Sequence, residues 1–340
     1  MFTAPLFKIT AHHIKLIDEI STLKERIQNS KISVAWKPIL QREAILRSAM
    51  GSTAIEGYVL SMPEVEALSN GKTTERLNHS ETAVLNYLAA LKLVNKSQNI
   101  QLSHEFIKKL HSLTVHGMLK ETAIGNYRAV QNYVVNGYGQ AMYIPPKPQD
   151  VQGLMDGLIR WGNIESTEQV PVVSSAILHY QFVSIHPFVD GNGRVARLLG
   201  TWELIRRKFD TQCIFAIDDL IYEHKSAYYA ALKSAQHSKN DITHWLEYYL
   251  EIVAESLDRE WRRIASLPGT KKLKEALELT PKQEKALKLF GASGRVSARE
   301  LAKTLKISVQ GVHFILGPLI KAGMVKRFGG RKTGKFGTAR

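Results

Sequence analysis

Twelve consecutive residues carry the side chains needed to move a proton and hold a polyanion: His186-Pro187-Phe188-Val189-Asp190-Gly191-Asn192-Gly193-Arg194-Val195-Ala196-Arg197. An imidazole such as His186 can be neutral near pH 7 and can accept a proton from an attacking hydroxyl. Asp190 offers one carboxylate, which suits Mg²⁺, an ion that keeps most of its waters and binds chiefly through substrate phosphates. Gly191 and Gly193 flank Asn192 and let backbone N–H groups turn inward as an anion nest. A helix is expected to begin at about Arg194, adding a positive dipole end. On it Arg194 and Arg197 stand at i and i+3, so both guanidinium groups can face one anion. Phe188, the apolar residue among them, is expected to anchor the loop in the core. Phosphoryl-type transfer needs positioning and charge neutralisation, and this set supplies both. A tight helix–helix turn would explain a bare Gly-x-Gly but not the full string. The chain shows no Walker loop and no Ser/His/Asp hydrolase signature.

The elements around this loop read as mostly helical. Ile14, Ile17, Ile20, Leu23 and Ile27 recur at helical spacing, and Ile39-Leu40 leads into a second helix through Ile45, Leu46 and Met50. Ser61-Met62-Pro63-Glu64 has the order of a helix start, with Ser as cap and Glu at the third position. Helical stretches are expected at about 75–95, 103–119, 150–163, 170–184, 194–208, 219–236 and 241–266. One stretch differs. Ala129–Val135 is β-branched and aromatic, Asn136-Gly137-Tyr138-Gly139 supplies turn chemistry, and Ala141–Ile144 returns before Pro145-Pro146. This predicts a β-hairpin at about 129–144, which must dock on the helices or on a partner because a lone hairpin is marginal.

With 340 residues, 44% of them hydrophobic, the chain has material for two or three domains and a sizeable core. Its formal charge of +15 is unevenly spread. Residues 271–340 hold 17 Lys and Arg against 4 Asp and Glu, whereas the first 270 hold 29 against 27. The excess therefore belongs to one C-terminal module and suggests a polyanionic partner for it alone. The single cysteine, Cys213, allows no internal disulfide and sits in an apolar run, as a buried structural thiol would. No signal peptide and no membrane-spanning run is read, so a cytoplasmic location without membrane attachment is expected. His12, His13, His104, His111 and His116 show no metal-ligand pattern in sequence and are expected to be surface or packing residues.

At residues 186–197 the chain resembles the Fic-domain family. The string matches the signature H-x-F-x-[DE]-G-N-G-R-x-x-R at every specified position, and Ile177-Leu178-His179-Tyr180-Gln181-Phe182 is similar to the helix that precedes it. The resemblance covers roughly residues 30–265. It implies a mainly α fold, a Fic-type helical bundle with a small β-hairpin flap over the active site. It also implies transfer of AMP from Mg·ATP to a Ser, Thr or Tyr hydroxyl of a target protein, with autoAMPylation expected. By position, His186 looks like the general base and Asp190 like the Mg²⁺ ligand. Gly191, Asn192 and Gly193 look like the phosphate cradle, and Arg194 and Arg197 like phosphate clamps. Gly125-Asn126-Tyr127-Arg128 also resembles the pattern ahead of the flap. His224, Tyr228 and Tyr229 fall in a region that contacts the nucleotide in relatives, although many carry Asn where His224 stands; helix packing explains the three equally.

Upstream, Ser52-Thr53-Ala54-Ile55-Glu56-Gly57 matches the inhibitory pattern [ST]-x-x-x-E-[GN] of many Fic proteins. Ser52 and Glu56 are i and i+4 on a helix and share a face. The resemblance implies that Glu56 pairs with Arg197 where the ATP γ-phosphate would sit. The six residues alone also suit an ordinary capped helix end.

After a break near 267–280, the order helix, helix, turn, helix, strand and basic glycine-rich wing resembles a winged helix-turn-helix. Gln310 and His313 are then expected on the exposed side of the recognition helix, with Lys326, Arg327, Arg331, Lys332 and Lys335 on DNA phosphates. Such domains also dock proteins or form dimers, so a homodimer is a further expectation. The expected division is 1–95, a helical region with the inhibitory helix at about 45–57; 96–266, the catalytic core; and 275–340, the winged-helix domain. Two other functions fit the same residues. One is a DNA-binding regulator with the Fic domain as nucleotide sensor; the other is removal of AMP at the same site.

Overall fold

The computed structural model describes residues 2–30, 32, 36–71, 76–135, 140–210, 214–238, 240–267, 280–321, 323–330 and 334–338, without side chains at 281, 284, 288 and 291–293. The expected hairpin turn at 136–139, Cys213 and the wing residues Arg331 and Lys332 lie outside the described residues. The chain falls into two compact units, one of residues 1–24 and 44–257, the other of residues 25–43 and 258–340. No described helix is long and apolar enough to cross a membrane.

The helices run in the order α1 (Ala11–Asn29), α2 (Trp36–Ile55), α3 (Met62–Ser69), α4 (His79–Lys96) and α5 (His104–Thr114). The strands β1 (Val134–Val135) and β2 (Ala141–Tyr143) follow. Next come α6 (Pro148–Asn163), α7 (Pro171–Ile185), α8 (Asn192–Arg206), α9 (Asp218–Glu223), α10 (Lys225–His237) and α11 (Thr243–Ser266). The last elements are α12 (Pro281–Ser293), β3 (Val296–Ser297), α13 (Ala298–Leu305), α14 (Val309–Lys321), β4 (Val325–Phe328) and β5 (Lys335–Thr338).

Starts are fixed where the sequence places caps. Asn78 accepts from the Glu81 backbone N–H at 2.9 Å, while the Glu81 carboxylate accepts from the Asn78 N–H at 2.7 Å. That reciprocal pair satisfies two N–H groups which a helix start otherwise leaves open. The first unit is organised around α7, buried on every side from Val172 to Val183. A helix apolar all round must be a central one. It packs against α6 and α8, and α4 packs against α5 and α8. Three of its polar side chains find partners within the unit: Ser174 donates to Glu203 at 2.7 Å, Ser175 to the Gly200 carbonyl at 2.8 Å, and His179 meets the Tyr228 hydroxyl at 3.0 Å.

Three expectations need correction. The motif helix starts at Asn192 rather than Arg194, because Gly191 takes the left-handed conformation (φ 79°) and caps it. The stretch at 219–236 is two helices, α9 and α10, broken at His224. The hairpin is shorter than 129–144: its ladder pairs Val134 with Tyr143 and Val135 with Ala141, with a register shift between them. Residues 128–132 bond instead to the loop and to the chain ahead of α6.

In the second unit, Leu301, Leu305, Val312, Leu316, Leu319, Val325 and Phe336 form a small core of their own. Three antiparallel strands in the order β3-β5-β4 close it. Gln310 and His313 of α14 are exposed, as are Lys326, Arg327 and Lys335 on the strands. Phe314 beside them is 83% exposed.

Candidate active site

The loop between α7 and α8 is held by its own residues. The Asn192 amide clamps Phe188 from both directions, accepting from its N–H at 2.9 Å and donating to its carbonyl at 2.8 Å. The Asn192 side chain is therefore structural, and only its backbone is left for a phosphate. Phe188 is fully buried and stacks on His111, ring centres 3.7 Å apart and ring planes nearly parallel. His111 itself meets the Asp190 carbonyl at 3.1 Å and accepts from the Gly125 N–H at 2.9 Å. Burial pushes its pKa down to about 4, so it is neutral and positions the loop. Nothing in its sequence surroundings separated it from the other histidines.

His186 closes α7 in the left-handed conformation (φ 52°, ψ 58°), a shape few side chains adopt. Its Nδ1 lies 3.0 Å from the Val183 carbonyl. A carbonyl only accepts, so Nδ1 carries the proton and Nε2 keeps a lone pair. Burial lowers its pKa below the ordinary imidazole value, assisted by Arg128, against the pull of the Val183 carbonyl, Glu56 and Asp190. The ring is thus neutral and ready to accept a proton.

Arg128 ties the hairpin to this loop. Its guanidinium donates to the carbonyls of His186 (2.8 Å), Val130 (3.1 Å) and Pro146 (2.5 Å). Asn132 donates to the carbonyls of Phe188 and Val189, and the Tyr143 hydroxyl to that of Ser184. Sequence reasoning singled out Arg128 within a four-residue resemblance but missed Asn132 and Tyr143, whose partners lie some 40–57 residues away. Val130, Tyr133, Val135 and Ile144 leave an exposed apolar surface on the hairpin.

Two arginines line the cradle. Arg194 is buried and reaches the Thr114 carbonyl at 3.3 Å and Asp190 at 3.4 Å, with Tyr58 over its face at 5.3 Å. Arg197 is fully buried. It donates to the Ser52 hydroxyl (2.6 Å), the Ser52 carbonyl (2.9 Å) and Glu56 (2.7 Å). Asp218, also fully buried, stands 3.9 Å away. Burial works against the charge of Arg197, but Glu56, Tyr228, Tyr87 and Asp218 outweigh it and keep the guanidinium charged. Desolvation likewise works against the Glu56 carboxylate, and Arg197 reverses it, leaving Glu56 more acidic than usual. The expected Ser52–Glu56–Arg197 grouping is therefore present in the geometry. Even so, Arg194 Nε and Arg197 Nη1 are buried N–H groups without a hydrogen-bond partner. Buried donors are nearly always satisfied, so two such donors beside one helix start suit an anion. Gly193 lets these groups come close: a Cβ there would meet a Glu56 carboxylate oxygen and crowd Arg197 Nη1 at 3.2 Å, so a side chain would push the Glu56 carboxylate aside.

Tyr228 lies against Arg197, and Tyr229 close enough for Glu56 to help raise its pKa, with burial, to about 12. His224 instead pairs with Glu255 at 3.4 Å. Asp190 fits a magnesium ligand by its donor chemistry: its side chain is 54% exposed, and Oδ1 accepts the Gly191 N–H at 2.6 Å. A single half-exposed carboxylate suits an ion that keeps its waters and relies on phosphate oxygens.

The Fic/DOC family profile matches residues 101–204, and a winged helix-turn-helix DNA-binding profile matches residues 279–326. The protein adenylyltransferase Fic of Drosophila melanogaster is 30% identical over 237 residues, covering 67% of this chain and 44% of that protein. The chain thus spans about half, or less, of the curated relatives it matches. A Fic family protein from Desulfovibrio desulfuricans has the same fold, with a TM-score of 0.69 and 24% identity over 99% of this chain and 98% of that one. A Fic domain signalling protein from Bacteroides thetaiotaomicron aligns with a TM-score of 0.61 and 22% identity over 75% and 97%. The chain carries a Fic/DOC domain followed by a winged helix-turn-helix domain.

Proposed function

We propose that the chain is a protein adenylyltransferase, moving AMP from ATP to a Ser, Thr or Tyr hydroxyl of a protein, and that Glu56 holds it in check. The observation that carries this reading is the pair of partnerless buried donors on Arg194 and Arg197, set beside a neutral His186. In this reading the ATP phosphates take those donors together with the N–H groups at the start of α8. His186 Nε2 accepts the proton of the target hydroxyl as its oxygen attacks the α-phosphorus, and pyrophosphate leaves. Asp190 would hold Mg²⁺, whose charge neutralises the phosphate oxygens. The target segment lies along the hairpin edge, where backbone pairing fixes the hydroxyl near His186. Glu56 competes with the γ-phosphate for Arg197, so a bound ATP sits out of line.

The test is transfer of label from α-phosphate-labelled ATP to protein, comparing the natural chain, Glu56→Gly and His186→Ala. Labelling should rise in the first variant and vanish in the second. Glu56→Gly that fails to label any protein, itself included, would refute transfer and leave the nucleotide-sensor function. Release of AMP from a labelled protein by the natural chain but not by Glu56→Gly would instead favour AMP removal.

For the C-terminal domain we infer contact with duplex DNA through Gln310, His313, Lys326, Arg327 and Lys335, all exposed on one small domain with a helix-turn-helix order. Affinity for duplex should fall steeply with salt, because each neutralised phosphate releases counterions. Lys326→Ala should reduce the logarithmic salt slope by about 1. No duplex binding at low salt would leave protein docking or dimerisation as the role of this domain.

A further inference from the structure

Far from the nucleotide site in sequence, α1 and α11 bring together a second set of chemically capable side chains. His12 Nε2 lies 3.3 Å from Glu251 Oε1 and 3.8 Å from Glu247 Oε1. One ligand atom from each of the three residues falls within 4.8 Å of the others. Glu247 and Glu251 are i and i+4 on α11 and share its face. His244, one turn earlier, places Nδ1 4.0 Å from the second oxygen of Glu247. The side chains of His12, Glu247 and Glu251 are 45%, 37% and 52% exposed, so an ion can reach them without any rearrangement of the core.

We propose that His12, Glu247 and Glu251 form a divalent transition-metal site, with zinc the favoured class, which pins α1 to α11. Three features argue for this over a plain ion pair. First, the two carboxylates carry two negative charges facing one imidazole, which can offer at most one positive charge; a dication balances both. Second, zinc bonds of about 2.0–2.1 Å in a tetrahedron put ligand atoms roughly 3.4 Å apart. The two His12 distances straddle that value, and the loosest pair closes by rotation of an exposed glutamate. Third, the donor set is mixed nitrogen and oxygen, which suits zinc and its neighbours, whereas Mg²⁺ and Ca²⁺ prefer oxygen alone. His244 beside the free oxygen of Glu247 has the place of an outer partner that orients a metal-bound carboxylate. Three protein ligands leave a fourth position for water or for a group from another molecule.

The site would reinforce an existing attachment. Ahead of α1, Leu6 exchanges backbone hydrogen bonds with Asn240 and Ile242, at 2.9 and 2.8 Å, just before α11 begins. An ion at His12 adds a second attachment along the same pair of segments, so the N-terminal stretch could leave α11 only by breaking both. The histidine and the glutamates are more than 230 residues apart, which is why no spacing pattern announced them.

The full chain, freed of metal with a chelator, is titrated with Zn²⁺ by calorimetry and its melting temperature is followed. One ion should bind per chain with a rise in melting temperature, and Co²⁺ should give the visible bands of a four-coordinate site. His12→Ala, and separately Glu247→Gln with Glu251→Gln, should weaken binding at least tenfold and remove the rise. Melting of these variants without metal should match the natural chain, since the residues are exposed. Limited proteolysis ahead of α1 should slow on adding zinc in the natural chain only. Absence of saturable binding, or binding that survives both variants, overturns the proposal.

Discussion

Replacing Glu56 separates charge from bulk as the source of restraint. The Glu56 carboxylate accepts one hydrogen bond from Arg197 Nη2, at 2.7 Å. A hydrogen bond to a charged group contributes about 1.5–3 kcal/mol, and a neutral one about 0.5–1.5 kcal/mol. Glu56→Gln keeps the shape and an acceptor oxygen for a guanidinium that stays charged, so it loses only the pairing of opposite charges and weakens the hold on Arg197 by about 1 kcal/mol. Glu56→Gly removes the whole contact. With about 1.4 kcal/mol per tenfold in rate, Gln should raise initial labelling severalfold to about tenfold, and Gly tenfold to about a hundredfold. Neither change should unfold the chain. Glu56 follows the end of α2, and Arg197 keeps the Ser52 hydroxyl at 2.6 Å and Asp218 at 3.9 Å. The assay is the initial rate of label transfer from α-phosphate-labelled ATP at saturating nucleotide, with melting curves run in parallel. A Gln variant as slow as the natural chain, beside a fast Gly variant, would show that bulk and not charge is the obstacle. Equal rates in all three would dispose of the restraint altogether.

Three more outcomes can be checked. The base must be deprotonated to work and burial holds the His186 pKa below the ordinary imidazole value, so in Glu56→Gly the acid limb of kcat/KM should lie below pH 6.5; a limb at or above 6.5 would remove His186 as the base. His179 and His111 are held neutral, with pKa values of about 3 and about 4, and take up protons near 6.5 once unfolded. Their contribution to stability is complete above about pH 6.5 and lost as pH falls toward 4, so the urea midpoint should drop between pH 7 and 5 and drop less in His179→Gln. Gly51→Ala would set a Cβ 2.5 Å from the backbone of Asp218 and Asp219, which cannot swing aside, and should destabilise the fold by about 1–3 kcal/mol in urea unfolding; an unchanged midpoint would mean that α2 and α9 pack more loosely than the structure has them.

Much of the site is legible in the sequence because its chemistry is local. His186, Asp190, Gly191, Gly193, Arg194 and Arg197 lie in twelve residues, and a helix start fixes their relative placement. Ser52 and Glu56 were legible for the same reason, since one helical turn joins them. What the sequence hides are contacts made across the fold. Asn192 reads as a cradle residue, yet its amide is committed to Phe188. His111 reads as one of several scattered histidines, yet it stacks on Phe188. Asp218 carries no motif at all, and its importance to Arg197 comes from the packing of α9. Helix boundaries were displaced where backbone conformation decides them: Gly191 and His224 end or begin helices through their own φ and ψ, which hydrophobic periodicity does not report. The hairpin was overestimated because Arg128, Gln131 and Asn132 bond to the loop and to the chain ahead of α6, which keeps the residues before Val134 out of the ladder.

His186 sits in the left-handed backbone region, which costs most side-chain-bearing residues about 1–2 kcal/mol and which histidine, asparagine and aspartate enter more often than others. On the proposed function, the residue that would serve as base is also one of the few that the backbone tolerates at that point. His186→Asn should be inert as a transferase yet melt close to the natural protein. A loss of activity in that variant then reports on the imidazole itself and not on the fold.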